Sequence, residues 1–175
     1  MKNVKYNNND VRRQDRLLDE KKAIDLLQNG EYGVLSLVEA RNDTEAGYAI
    51  PLNYVYDGGR SVYFHCAKEG HKLNCLSKNP HVSFCVVGHT RVVSNQFTTG
   101  YESVIIRGKI DLELSEAERR AALMLILEKY SPNDKEVGVQ YIEKSFHRTN
   151  VIRLDIESMS GKTKIVNDGR DEGAD

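Results

Sequence analysis

The sequence contains no tryptophan and only three prolines and three cysteines, and its 25 Lys+Arg nearly cancel its 26 Asp+Glu. Each shortage excludes something. A formal net charge of −1 leaves no bulk positive field for nucleic acid, so an anion would have to be met by a local pocket. Cys66, Cys75 and Cys85 are odd in number and lack the spacing of a disulfide framework, which predicts reduced thiols in a cytoplasmic protein. No apolar run approaches the roughly 20 residues that would span a bilayer. The opening "MKNVKYNNNDVRRQDR" also lacks the apolar segment of a secretory signal.

What remains is an ordinary soluble composition, 39% hydrophobic and 29% charged over 175 residues. A chain of this length can bury roughly 70% of its unfolded surface, so one domain needs neither disulfide nor metal to fold. The Asn-rich residues 1–14 read as a flexible arm and 166–175 as a disordered tail, leaving a domain over 15–165.

Within that domain strands dominate. Asp19 caps an expected helix over "EKKAIDLLQN", and Gly30 stops it. "YGVLSLVE" reads as a strand, "ARNDTEAG" as a polar loop, and "YAIPLNYVY" as a second strand that turns at "DGG" into "RSVYFHCA". A short helix over His71–Lys78 precedes Pro80, and "HVSFCVVG" follows as a strand. "SVIIRGKIDLEL" gives the clearest alternation, with Val104, Ile106, Gly108, Ile110 and Leu112 on one face and Arg107, Lys109, Asp111 and Glu113 on the other. Ser115 and Glu118 form a capping box before "EAERRAALMLILEKY", whose Leu123, Ile126, Leu127 and Tyr130 share one face. "GVQYIEKSF" reads as a short helix and "TNVIRLDIE" as a closing strand. Strands joined by turns, with helices as plugs, predict a mainly β, antiparallel barrel. "AIPLNYV" and "VSFCVV" are apolar on nearly every residue and need cover on both faces, which a second copy of the chain could supply.

The densest chemistry lies in "FHCAKEGHKLNCL", residues 64–76. A metal site is disfavoured because His65 and Cys66 are adjacent in a strand and leave on opposite faces. A nucleophilic Cys66 or Cys75 would need an identified base, and buried cysteine is more often an inert small hydrophobe. An anion site accounts for more of the residues. A strand ends at Ala67, Gly70 gives backbone freedom, and free N–H groups open a helix near His71, with Lys68, His71 and Lys72 adding charge. The plain alternative is a solvated basic cap, with Glu69 and Lys72 paired on the surface.

The run "GYAIPLNYVYDGGRSVYFHCAKEGHKLNCLSKNPHVSFCVVG" resembles the flavin-binding split-barrel superfamily of pyridoxamine 5'-phosphate oxidase, and within it the nitroimidazole-resistance branch. "FTTGYESVIIRGKIDL" and "YIEKSFHRTNVIRLDIESMSGK" are similar to the same branch. The resemblance implies a split β-barrel that dimerises and holds FMN, or FAD, between subunits. It implies cofactor contacts from Pro51, Leu52, Asn53 and Tyr54 in "PLNY", and from His65, Ala67, Lys68, His71 and Lys72 around the phosphate turn. Ser103, with Tyr101 and Glu102 beside it, matches the segment that reaches the flavin from the partner subunit, and His147 and Arg148 match the region over the substrate side. The loop around "ARNDTEAG" departs from the family pattern, Phe146 stands where tryptophan is common, and the basic residues of a true pyridoxamine-phosphate oxidase are not evident.

These readings predict an FMN-dependent oxidoreductase acting on a small organic molecule, with no metal, membrane or nucleic-acid partner. His147 is the candidate proton donor, and a surface histidine before a strand is its plain alternative. Tyr54 and Tyr101 could each line the cleft or fill the core. A non-catalytic flavin module and a haem-binding barrel are the competing readings.

Overall fold

The computed structural model describes residues 4–42 and 44–167. Eight strands and four helices follow in the order β1 (Lys5–Tyr6), α1 (Glu20–Asn29), β2 (Tyr32–Arg41), β3 (Thr44–Asn53), β4 (Val55–Tyr56), β5 (Ser61–Ala67), α2 (His71–Lys78), β6 (His81–Val93), β7 (Thr98–Asp111), α3 (Glu116–Tyr130), α4 (Lys135–Ser145) and β8 (Thr149–Lys164). The strands form one sheet, ordered β3-β2-β6-β7-β8-β5-β4, with β1 parallel to β8 and every other pairing antiparallel. The sheet curls without closing, so β3 and β4 are its two ends. This is the expected antiparallel split barrel.

The inner face is the core. Leu35, Leu37, Val62, Phe64, Phe84, Val86, Val104, Ile106, Ile152, Leu154 and Ile156 alternate along their strands and are buried. Phe84 sits edge-to-face with both Tyr54 and Phe64, at centroid distances of 5.0 Å each. Burial of each such aromatic contributes about 1.5–3 kcal/mol. Close approach of β8 to β7 requires Gly108, where a Cβ would lie 2.1 Å from the Asp155 carbonyl oxygen. A second, smaller core of Ala122, Leu123, Phe146 and Val151 lies outside the sheet, where α3 and α4 cover β8. Phe146 fills it under the Arg119 and Arg120 guanidinium groups, 4.5 and 4.0 Å from its ring centroid.

The caps are as read. Asp19 accepts from the Lys21 and Lys22 amides, and Ser115 from the Glu118 amide. The Asp57 carboxylate accepts from the Gly59 and Ser61 amides, closing the β4–β5 hairpin with Gly58 at φ 76°. Four expectations need correction. The "ARNDTEAG" loop is mostly strand: β2 and β3 pair from Tyr32↔Asn53 to Arg41↔Thr44, and Asn42 turns the chain at φ 51°. "YAIPLNYVY" is broken at Tyr54, whose backbone N–H bonds the Tyr130 hydroxyl instead of a strand. The strand at "HVSFCVVG" runs on to Val93, past a bulge between Val87 and Thr90, and with β7 forms a long hairpin tipped by the exposed Phe97. The polar "HTR" and "TTGYE" carry no alternation that would reveal this arm. Finally, of the α3 face, Leu123 is buried while Ile126, Leu127 and Tyr130 are half-exposed along a groove. Lys5 and Tyr6 pair with β8 and Leu17 bridges to Lys162, while the predicted tail 166–175 lies outside the described residues from 168 onward.

Candidate functional site

β5 delivers Ala67, Lys68 and Glu69 to a sharp corner that Gly70 turns at φ 140°, a conformation only glycine adopts readily. α2 begins at His71, and no side chain caps its first turn. Its orphan N–H groups therefore face outward with the positive end of the helix dipole. Lys72 lies close enough to His65 to act on it electrostatically. Partial burial first, and then Lys72, push the His65 imidazole below its ordinary pKa. His65 and Lys72 are therefore neighbours at this corner, with Ala67 and Lys68 between them in the chain.

His71 does something different. Its Nε2 pairs with Glu39 Oε1 at 2.8 Å, and its ring packs edge-on against Tyr48 at 4.8 Å. Glu39, only 9% exposed, takes Arg41 Nε on its other oxygen at 2.7 Å. The imidazole is drawn to the β2–β3 hairpin. Glu39 was missed in the sequence, although it was legible as an acid in the inward series Leu35, Leu37, Glu39.

The cysteine reading loses its base here. Cys75 Sγ lies 3.6 Å from the same His71 nitrogen that meets Glu39, so imidazole cannot relay between thiol and carboxylate. Burial raises the Cys66 thiol, with Lys72 opposing, and raises Cys85. Cys66 packs toward the core while His65 reaches the outer face, as adjacent strand residues must.

β3, an edge strand, leaves one side of its backbone without a strand partner along Pro51, Leu52 and Asn53. Pro51 and Asn53 face out, and Leu52 packs on the core. Of the two alternatives for the Tyr54 side chain, the structure shows the core-filling one. It is wholly buried, donates to the Leu27 carbonyl at 2.7 Å, and is pushed above its ordinary pKa by burial, so it fills the core and lines no cleft. Tyr130 locks this edge: its hydroxyl accepts from the Tyr54 amide at 2.9 Å and lies 2.6 Å from the Glu31 carbonyl oxygen.

Beside the corner, an apolar groove of about 480 Å³ runs between α3 and α4, from His65 past Leu127, Tyr130 and Tyr141. Ser103 and Tyr101 lie on the outer face of β7, Ser103 opposite Lys162 of β8 and Val87 of β6. Within one chain they belong to a different region from the corner. His147 and Arg148 are exposed in the 3₁₀ turn Phe146–Arg148 that leads into β8.

The model of the family described as pyridoxamine 5'-phosphate oxidase matches residues 19–163. The chain belongs to that family. The match spans α1 through β8 and includes both the corner and the β7 outer face. Solved structures share the fold at low identity. A protein described as a 5-nitroimidazole antibiotic resistance protein from Bacteroides thetaiotaomicron superposes with a TM-score of 0.67 at 20% identity, covering 85% of this chain and 86% of that one. The flavocytochrome Anf3 from Azotobacter vinelandii gives 0.68 at 19%, covering 87% and 72%. An FAD-binding protein from Mesorhizobium loti gives 0.57 at 22%, covering 86% and 98%. A search of curated proteins finds no significant match. Among the described residues no helix is long and apolar enough to cross a membrane.

Proposed function

We propose that this pyridoxamine-phosphate-oxidase-family protein is a homodimeric flavoprotein that binds FMN and reduces a small, electron-poor organic molecule such as a nitro compound. The observation that carries the reading is the uncapped, basic start of α2 beside the free edge of β3. The residues fit the group. Helix N–H groups, Lys72 and Lys68 would hold a phosphate, and the exposed outer positions of β3 would border a flat ring. Flavin would supply the electron and hydride chemistry, and the chain would supply orientation and access, so no nucleophile or metal is needed. The pairing of His71 with Glu39 supports a set without the imidazole. FAD fits the same phosphate contacts.

The outer face of the sheet supports the dimer. Pro51, Val34, Cys85 and Ile105 lie in one row across β3, β2, β6 and β7, and Val87 beside them is 54% exposed. A second copy there would bring its own Ser103 region toward the corner. Gel filtration should give a dimer mass. Cofactor released by denaturation and identified by mass should be FMN, and the bound flavin should be reduced by NADH or NADPH and reoxidised by a nitroaromatic. Bound flavin without such turnover would instead identify a storage or sensing module.

A further inference from the structure

The β6–β7 arm ends on Phe97, which is 98% exposed and sits at φ 50°, ψ 44°, in the left-handed region. Its amide closes the tip on the Ser94 carbonyl at 3.1 Å. A hairpin tip of this kind favours glycine or asparagine at such a position, because a Cβ there crowds the backbone. The tip therefore carries two costs at once, a strained backbone and an aromatic ring left in water. Burial of the ring against a neighbour would offset both.

The arm is braced along its length. The Gln96 side-chain amide donates to the Asn167 carbonyl at 2.9 Å, the Thr163 hydroxyl donates to the Tyr101 carbonyl at 3.1 Å, and Lys164 Nζ donates to the Thr98 hydroxyl. Strand alternation divides its apolar residues. Val93, paired with Thr98, turns inward and is buried. Val92, paired with Thr99, turns outward and is 77% exposed. From Thr99 the outward series on β7 runs through Tyr101 and Ser103 to Ile105, whose partner on β6 is Cys85. Val92 thus stands on the same face as Val87, Cys85, Val34 and Pro51. The arm carries that row about 20 Å beyond Ile105, six residues at ~3.3 Å each.

We propose that the arm is a clasp for a second copy of this chain, with Phe97 as its anchor on that copy. This rests on the dimer reading, whose face the arm extends. An isologous pair engages both arms at once and leaves neither tip in water. Exposed aromatics within an apolar patch are the residues that anchor protein contacts. A lipid surface fits less well, because Val92–Tyr101 carries no lysine or arginine to hold a tip on anionic headgroups.

Sedimentation velocity over a dilution series measures the dimer dissociation constant of the protein as purified, for wild type, Phe97→Asn and Phe97→Tyr. Asparagine accepts the left-handed backbone and removes the ring, so the tip keeps its turn. Phe97→Asn should weaken the dimer at least about tenfold, as loss of an anchor does. Phe97→Tyr, which keeps the ring, should stay within about twofold of wild type. Diluted to monomers, Phe97→Asn should melt no lower than wild type. A Phe97→Asn dimer as tight as wild type would overturn the clasp and leave the dimer reading standing. A lower melting temperature of the Phe97→Asn monomer would make the ring part of its own fold and overturn the clasp as well. Wild type that stays monomeric at every concentration would overturn the dimer reading and the clasp with it. Cosedimentation of that monomer with phosphatidylcholine–phosphatidylglycerol vesicles, lost in Phe97→Asn, would then assign the arm to a membrane.

Discussion

Glu39 Oε1 lies 2.8 Å from His71 Nε2, and this pair decides which side chains remain free at the corner before α2. Family resemblance placed His71 and Lys72 there together, but the carboxylate holds the imidazole on the hairpin side. Lys72→Ala should therefore weaken FMN binding by about 1.5–3 kcal/mol, the range for a charged hydrogen bond. His71→Ala should change affinity by no more than about twofold, or ~0.4 kcal/mol. Fluorescence titration of both variants distinguishes the two, and equal losses would return His71 to the site.

His65 supplies the pH dependence. Burial, then Lys72, depress its folded pKa, so it is largely neutral at neutral pH in the flavin-free protein. A phosphate dianion beside it favours the imidazolium, so flavin binding takes up a proton. Affinity should rise as pH falls into the imidazole range, until the phosphate itself protonates near a pKa of ≈ 6. His65→Gln should flatten that rise in titrations at several pH values.

Tyr130 ties the end of α3 to the break between β3 and β4. Tyr130→Phe leaves the Tyr54 amide without its partner, which should cost about 1–3 kcal/mol. For a chain of this size that lowers Tm by about 2–4 °C per kcal/mol, measurable by calorimetry. An unchanged Tm would show that water replaces the hydroxyl.

Lys129 carries a burden in the opposite sense. Its Nζ is buried without a hydrogen-bond partner, 3.9 Å above the Tyr54 ring, and burial lowers its pKa to about 8. Because the folded pKa lies below the unfolded one, the charged amine opposes folding below pH 8. That cost is relieved as pH rises from about 8 toward the unfolded value of ~10.4. Lys129→Met should raise Tm near neutral pH and remove this part of the alkaline rise in stability. A lower Tm would mean that the cation–π contact outweighs desolvation.

Much of this was legible in the sequence because local rules and the fold agree. Asp19 and Ser115 cap their helices, "DGG" turns its hairpin, and alternation from Val104 to Ile110 marks the inner face of β7. The readings that failed depend on partners far along the chain. Tyr54 ends β3 because Tyr130, 76 residues away, takes its amide. The His71 imidazole turns to Glu39 on β2, 32 residues earlier in the chain. Charge and apolar pattern locate such residues, but only tertiary contact says which neighbour wins.

The most direct test of the account is the visible absorption spectrum of the purified protein, before and after addition of FMN. Flavin bands that travel with the protein and are released on denaturation are the predicted result. A colourless protein that leaves added FMN free in solution would contradict it.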